Sequence, residues 1–138
     1  MNGSRELLRL KHFLVTVDDD TRIVTRVRTA ERFDSGAELE TAYEQLLGAL
    51  DSLDRPSHAQ LVDVRLAPAR NDPQFEAVVT RYHPRLYGGF RANAVLHQSA
   101  VGALQIKRIV DATGVSARTF TDEVEARRFL IAAVGVSA

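Results

Sequence analysis

The segment 59–74, AQLVDVRLAPARNDPQ, decides the fold of this chain. Its apolar part, 61–64, predicts a short strand, and the polar turn that follows carries Arg65 and Arg70. The sequence NDP at 71–73 then predicts a helix start, since Asn and Asp cap helices and proline is tolerated in the first turn. A strand that feeds a helix indicates an α/β domain, in which ligands and partners commonly contact this end of the strand.

Length and composition predict one ordinary domain. The chain has 138 residues, of which 45% are hydrophobic, enough for a single core. We expect that domain to span 5–134, with disordered ends at 1–4 and 135–138. The sequence shows no signal-peptide pattern and no apolar run long enough to span a membrane, so we expect a cytoplasmic protein.

Charge and cysteine content exclude several classes of function. The chain has 18 Lys and Arg residues and 18 Asp and Glu residues, so its net charge is zero and nothing attracts it as a whole to nucleic acid or to a membrane surface. The absence of cysteine excludes disulfides, thiolate metal sites and a cysteine nucleophile. We therefore expect no nucleic-acid partner.

A hairpin is predicted at the start of the domain. Segments 12–17 and 22–27 are rich in β-branched residues and flank an acidic turn, which is typical of two antiparallel strands at or near a sheet edge. The even-numbered residues of the second arm, Arg26 among them, share one face, and we expect that face to be partly solvated. Residues 6–10 are expected to add a helical turn or to run directly into the hairpin.

Four helices are predicted from caps and apolar periodicity. Ser35 with Glu38 forms a capping-box pattern ahead of a leucine stripe, which predicts the first helix. We expect the second helix to bend or end at Pro84, and we expect Leu104 and Val124 on the buried stripes of the third and fourth helices. The other predicted features are a strand at 90–96, a helix from Ser99 to Gly114, a strand at 117–120 and a capping box at Asp122 and Glu125.

The element order defines the expected fold class. Strands and helices follow one another as β-β-α-β-α-β-α-β-α, which indicates a largely parallel sheet. We expect a single α/β domain with about four or five strands, an antiparallel N-terminal hairpin and about four covering helices.

Polar residues gather where two strands of this sheet end. The arginines and the free amides of the helix start form a possible anion site, although a carboxylate at the cap would repel an anion and ordinary salt bridging is the alternative. The candidate residues for binding a partner or an anion are Arg65, Arg70, Asn71, Asp72, His97 and Ser99.

Catalytic groups are sparse. His97 and Ser99 lack an evident third group to orient them, and Ser99 suits the role of a helix cap. Asp63 lies in an apolar strand, either as a functional carboxylate or paired with an arginine near the strand end, and we favour the pairing. If the protein were an enzyme, Asp63 and His97 would be the candidates.

No pattern indicates a cofactor or a metal. The four histidines have no short ligand spacing, and no glycine-rich phosphate loop follows a strand. We therefore expect neither a nucleotide cofactor nor a bound metal.

With the element order fixed, two segments carry a family resemblance. Residues 61–76, LVDVRLAPARNDPQFE, together with 118–130, RTFTDEVEARRFL, resemble the STAS superfamily, and more closely its stand-alone SpoIIAA-like branch, the anti-sigma-factor-antagonist fold. In that branch a last strand ending in phenylalanine, an acidic turn and a helix of the form E-A-x-x-F/W-L are frequent. The resemblance covers 13–130 and implies the STAS-like fold and a non-enzymatic bacterial module that binds a partner protein.

One feature of the resemblance is missing from this chain. The best-understood members are controlled by a phosphorylated serine or threonine at the start of the helix after the third strand. Here the turn 65–72 contains neither residue, and Asn71 and Asp72 occupy the helix start. Asp72 is either a helix cap or a permanently charged substitute, and we expect no phosphorylation switch at this turn.

Three functional hypotheses follow. The first is a non-catalytic, cytoplasmic regulatory or protein-interaction module that uses the face formed by 65–72 and 97–99. The alternative is a small-molecule or lipid-binding domain with its ligand between helix and sheet. An enzyme is the third. A homodimer through the edge of the hairpin or an exposed helix face is a further expectation.

Overall fold

The computed structural model describes residues 4–68 and 72–135, which form six strands and four helices. The strands are β1 (Ser4–Arg9), β2 (Phe13–Asp18), β3 (Ile23–Arg28), β4 (Ala59–Asp63), β5 (Asn93–Leu96) and β6 (Arg118–Phe120). The helices are α1 (Gly36–Asp51), α2 (Pro73–Tyr87), α3 (Ala100–Thr113) and α4 (Glu123–Val134). Of the ends expected to be disordered, 1–3 and 136–138 lie outside the described residues, Ser4 belongs to β1 and Gly135 caps α4.

The strands lie side by side in chain order, from β1 to β6. The pairs β1–β2 and β2–β3 are antiparallel, and the pairs from β3 to β6 are parallel. An antiparallel N-terminal hairpin joined to a parallel remainder confirms the predicted fold class. The sheet contains six strands where about four or five were expected.

The additional strand is β1. The prediction for 6–10 is wrong, because Glu6, Leu8 and Arg9 pair with β2 as part of a separate strand instead of forming a helical turn or the start of the hairpin. A bulge between Glu6 and Leu8 interrupts the pairing, and exposed Arg5 forms an ion pair with Asp19 at 2.9 Å. Charged side chains and a bulge are typical of an edge strand. β1 therefore covers the edge of β2, which is the hairpin edge where the sequence predicted a homodimer contact.

The two faces of the sheet are covered unequally. One face packs against α1, α2 and α3 around a large core that contains Val15, Leu46 and Leu86. The other face packs against α4 through a smaller core that includes Leu61 and Leu130. The first face, with its three helices, is called the three-helix face below, and the second is called the α4 face.

The helix α2 runs through its internal proline. The prediction for Pro84 was a bend or an end of the helix, and the end is wrong, because α2 continues to Tyr87. Leu86 is fully buried and Tyr87 is 6% exposed, so burial of these side chains outweighs the backbone hydrogen bond that proline cannot make. Arg55 Nη1 also donates to the carbonyl oxygens of Arg85 and Gly88, at 2.7 and 2.8 Å, and fixes this end of the helix.

The predicted N-cap side chains are confirmed. Four side chains accept hydrogen bonds from amides of the first helical turn, as expected for N-caps. They are Ser35 for α1, Asp72 for α2, Ser99 for α3 and Asp122 for α4. Gly114 ends α3 in the left-handed conformation, at φ 70°. Local signals of this kind depend on neighbouring residues alone, so they are visible in the sequence.

Two side chains assigned to buried stripes are exposed. Leu104 on α3 is 68% exposed and Val124 on α4 is 63% exposed. Ile106, Ile109 and Val110, which the same periodicity places on the stripe of α3, do lie on the side toward the sheet. None of the four helices described here combines the length and the apolar run needed to cross a bilayer.

Candidate functional site

Side chains on the three-helix face form rows across the parallel strands. In the first row, Val24 of β3 pairs with Gln60 of β4, which pairs with Asn93 of β5. In the second row, Arg26 pairs with Val62, which pairs with Val95. The third row, at the carboxyl ends of the strands, consists of Arg28, Val64 and His97. Because residues two apart in a strand share a face, all three rows point toward α2 and α3.

The first row holds a buried chain of amide groups. Gln60 is completely buried and Asn93 is 5% exposed. Arg26 Nε donates to Gln60 Oε1 at 3.1 Å, and Gln60 Nε2 donates to Asn93 Oδ1 at 2.9 Å. The remaining amide hydrogens of both residues reach backbone carbonyl oxygens, among them that of Leu86 at 3.2 Å. Buried amides are costly unless they are bonded, so this row fixes the orientation of the Arg26 side chain.

Above the second row lies a cavity of about 360 Å³ between the sheet and the helices α2 and α3. Its base is formed by Val62 and Val95, and most of its walls are apolar or aromatic. The α2 side contributes Val79, His83 and Tyr87, the α3 side contributes Gly102, Ile106, Ile109 and Val110, and the rim includes Arg65, Pro68, Gln98 and Ser99. A cavity of this size and lining is typical of small-molecule sites.

Arg26 is a buried cation inside this cavity. Arg26 is 4% exposed, and its guanidinium carbon lies 5.1 Å from the centre of the Tyr87 ring. Its Nη2 is buried and has no hydrogen-bond partner among the described residues. The described lining contains no Asp or Glu. A buried charge without a counter-ion is unfavourable, so this arrangement marks a position where an anion would be stabilised.

Three titratable neighbours of Arg26, namely Tyr43, His83 and Tyr87, are neutral near pH 7. Burial lowers the pKa of His83 to about 3, and the positive charge of Arg26 acts in the same direction. Burial raises the pKa of Tyr43 to about 12 and also raises that of Tyr87, with the charge of Arg26 opposing both shifts. The phenols stay protonated, so they provide no counter-charge for Arg26.

Arg65, the first of the predicted binding residues, is engaged in ion pairs on the α4 face. Its side chain makes a two-point contact with Asp63, at 3.0 and 2.8 Å, and reaches Glu123 of α4 at 3.0 Å. Glu123 also accepts from Arg127 at 2.9 Å. The structure thus shows the pairing that was favoured for Asp63 over a functional role.

The carboxylates of this ion-pair cluster, Asp63 and Glu123, are stabilised in their charged form by arginines. Partial burial acts to raise the pKa of Asp63, but hydrogen bonds from the side chain and amide of Arg65 outweigh it, and the pKa lies below its usual value. The hydrogen bond from Arg127 lowers the pKa of Glu123 in the same way. Each carboxylate therefore stabilises the folded state in its charged form.

The other predicted site residues separate into three groups. His97 is 8% exposed, lies on the cavity, and its Nδ1 is buried with no hydrogen-bond partner among the described residues. Ser99 is on the cavity rim and caps α3, with its Oγ 2.9 Å from the Gly102 amide. Asp72 caps α2, whereas Arg70 and Asn71 lie outside the described residues. The structure thus brings Arg65, His97 and Ser99 to one end of the cavity.

The two candidates for catalysis do not share a site. Asp63 contacts Arg65 on the α4 face, whereas His97 faces the cavity on the opposite side of the sheet. Within 4–68 and 72–135, no group of three or more His, Asp or Glu side chains is placed to hold a metal ion.

The sequence did not reveal the importance of Arg26. Arg26 shares a face with Val24, as the pattern predicts, but the expectation that this face is partly solvated is wrong, because Val24 is fully buried and Arg26 nearly so. The signal that was available is Gln60, a long polar side chain inside a buried parallel strand, which requires buried partners.

Comparison with solved structures identifies the fold. A crystal structure from Shewanella loihica PV-4, described as an uncharacterized protein from the DUF3478 family with a SpoIIAA-like fold, matches this chain with a TM-score of 0.54 and 14% sequence identity. The match covers 94% of this chain and 95% of that chain. This chain therefore has a SpoIIAA-like fold, which is the fold that the resemblance implied. No family model and no curated protein matches the chain.

Proposed function

We propose that this protein is a non-catalytic binding module that holds a small, largely apolar molecule in the cavity between the sheet and the helices α2 and α3. The observation that carries the proposal is the cavity of about 360 Å³ itself, closed toward the sheet by Val62 and Val95. Sites for small ligands are concave, mostly apolar and equipped with a few polar groups, and this cavity has all three properties.

The chemistry of the lining supports binding without catalysis. A nucleophile needs a base within hydrogen-bond reach and a third group to orient that base. Among the described residues, Ser99 Oγ accepts a hydrogen bond from the Gly102 amide, and His97 has no carboxylate beside it in the cavity. His83 is uncharged near pH 7 because of its burial, so it is a weak proton donor there.

A cavity-filling variant tests this function. Ile106→Trp extends a cavity-lining side chain of α3 into the space, and Leu104→Trp, on the same helix but 68% exposed, is the matched control. Titration with the neutral aromatic probe 2-naphthamide, followed by amide NMR shifts, should perturb Val62, Val95 and His97 in the wild type and in the control variant. Ile106→Trp should abolish the perturbation. A wild type that shows no perturbation at these residues would contradict the proposal.

A regulatory module that docks a partner protein is the second candidate, as the SpoIIAA-like fold suggested from the sequence. The observation in its favour is Leu66, which is 60% exposed in the turn after β4. Exposed apolar side chains at a sheet edge are common anchors for partners. Against it, the side chain of Arg65 is already bound by Asp63 and Glu123.

Replacing an exposed apolar side chain with glutamate tests whether a protein partner docks specifically at the turn after β4. Leu66→Glu should reduce the capture of a protein partner, whereas Val124→Glu, at a residue 63% exposed on α4, should not. Equal capture by both variants in a quantitative pull-down would remove the turn after β4 as a docking surface.

A further inference from the structure

The three arginines that line the cavity differ in what they bind. Arg65 is paired with two carboxylates. Arg28 Nη1 donates to the carbonyl oxygens of Thr29 and Glu31 at 2.6 and 2.7 Å, and its guanidinium lies over Phe33, 4.7 Å from the ring centre. Of the cavity arginines, Arg26 is the one with a buried nitrogen that lacks a partner among the described residues.

The surroundings of Arg26 hold its guanidinium in a fixed orientation. Gln60 Oε1 accepts from Nε, and Gln60 is itself fixed by Asn93 and by the Leu86 carbonyl. The Tyr87 ring lies against the guanidinium. A guanidinium presents its donors in a rigid fork, so fixing Nε also fixes the direction of Nη2. The binding group is therefore organised before any ligand arrives.

We infer that the ligand of this cavity is an apolar monocarboxylate, whose anionic group is bound by Arg26 and whose body occupies the space over Val62 and Val95. This inference rests on the proposed function and specifies its ligand. Arginine and carboxylate form charge-assisted hydrogen bonds that are stronger than those between neutral groups. The buried Nδ1 of His97 is a further polar atom without a partner among the described residues of the same cavity.

The number of unpartnered donors favours a single anionic group on the ligand. Of the three arginines in the described lining, Arg65 is paired with two carboxylates and Arg28 Nη1 donates to two carbonyl oxygens, so Arg26 is the one with a buried nitrogen left without a partner among the described residues. A doubly charged phosphate ester would bring a second charge over a base formed by Val62 and Val95, and removing that charge from water is unfavourable. The volume of about 360 Å³ has room for about a dozen groups of the size of a water molecule.

A pair of ligands with the same shape tests the charge requirement. 2-Naphthoate and 2-naphthamide differ in the charged group and share the aromatic body. Isothermal titration of the wild type should show the carboxylate binding about tenfold more tightly than the amide, the difference expected for one charge-assisted hydrogen-bonded contact. Arg26→Met should bind both compounds equally, at about the affinity of the amide. Arg85→Met, at a residue of α2 outside the cavity lining, should keep the wild-type preference.

The outcomes distinguish this inference from the proposed function. If neither compound binds the wild type in the cavity, the proposed function fails. If both bind with equal affinity, the cavity binds apolar molecules but the assignment of a carboxylate is wrong. Comparing the affinities of the two compounds needs the wild type alone, so it tests the carboxylate assignment even if Arg26→Met does not fold. Displacement of 2-naphthoate by inorganic phosphate at similar concentrations would also overturn the assignment.

Discussion

The two faces of the sheet hold arginines in opposite states. On the α4 face, Arg65 lies in a chain of alternating charges with Asp63, Glu123 and Arg127, and contacts between 2.8 and 3.0 Å satisfy each group. On the three-helix face, Arg26 is more deeply buried and has a nitrogen without a partner among the described residues. A satisfied ion-pair cluster contributes to stability, whereas an uncompensated buried cation marks a position where a ligand can bind.

The largest effect on stability should come from the buried amide row. Gln60→Leu keeps the side-chain volume similar but leaves Arg26 Nε and Asn93 Oδ1 unbonded, so the free energy of unfolding should fall by about 3 kcal/mol. Urea denaturation measures this loss. Gln45→Leu, at an exposed position of α1, is the control and should change stability little. A loss below about 1 kcal/mol for Gln60→Leu would mean that the row does not hold Arg26 in place.

A smaller loss of stability is expected from a substitution in the ion-pair cluster on the α4 face. Asp63→Asn removes the carboxylate that Arg65 contacts at two points, so the free energy of unfolding should fall by about 1–2 kcal/mol at pH 7. Asp111→Asn, in an exposed pair with Lys107 at 3.5 Å, should cost less than about 0.5 kcal/mol.

The stability lost in Asp63→Asn should become smaller as the pH falls. The pKa of Asp63 is lowered in the folded protein, so the contribution of its carboxylate is complete above the unfolded-state pKa of about 3.9 and is lost as the pH falls through the folded-state pKa. The difference between wild type and Asp63→Asn should therefore shrink below about pH 4. A difference that stays constant in urea denaturations from pH 7 to pH 3 would argue against the ion pair as its source.

The smallest effect is expected where the buried charge itself is removed. Arg26→Met loses the hydrogen bond to Gln60 but also removes an uncompensated cation, so the two effects should nearly cancel, to within about 0.5 kcal/mol. Arg65→Met, which removes the arginine from Asp63 and leaves Glu123 with Arg127 alone, should cost about 1–2 kcal/mol. Equal losses in both variants would mean that Arg26 is as well compensated as Arg65.

The fold was largely predictable because its signals are local. Ser35, Asp72, Ser99 and Asp122 act as caps through amides two or three residues away, and the strand at 59–63 follows from its own apolar pattern. The predictions that failed depend on distant contacts. α2 passes through Pro84 because Leu86 and Tyr87 are buried by other elements of the fold, which the helix sequence does not show.

The candidate site was predicted only at its rim. The sequence placed His97 and Ser99 at the end of β5, where the structure has them on the cavity. It assigned Arg26 to a partly solvated face, because alternation shows which residues share a face and does not show what covers that face. Burial of Arg26 under α2, and its bond to Gln60 of a neighbouring strand, arise from the assembled fold.

Stabilisation of the fold by a carboxylate ligand measures whether Arg26 is an uncompensated cation that binds an anion. At about one hundred times the wild-type dissociation constant, 2-naphthoate should raise the free energy of unfolding of the wild type by about 2.7 kcal/mol. At the same concentration the gain for Arg26→Met should be about half of that, as a tenfold weaker affinity predicts, and 2-naphthamide should stabilise both proteins equally. The same gain from 2-naphthoate in both proteins would contradict the claim.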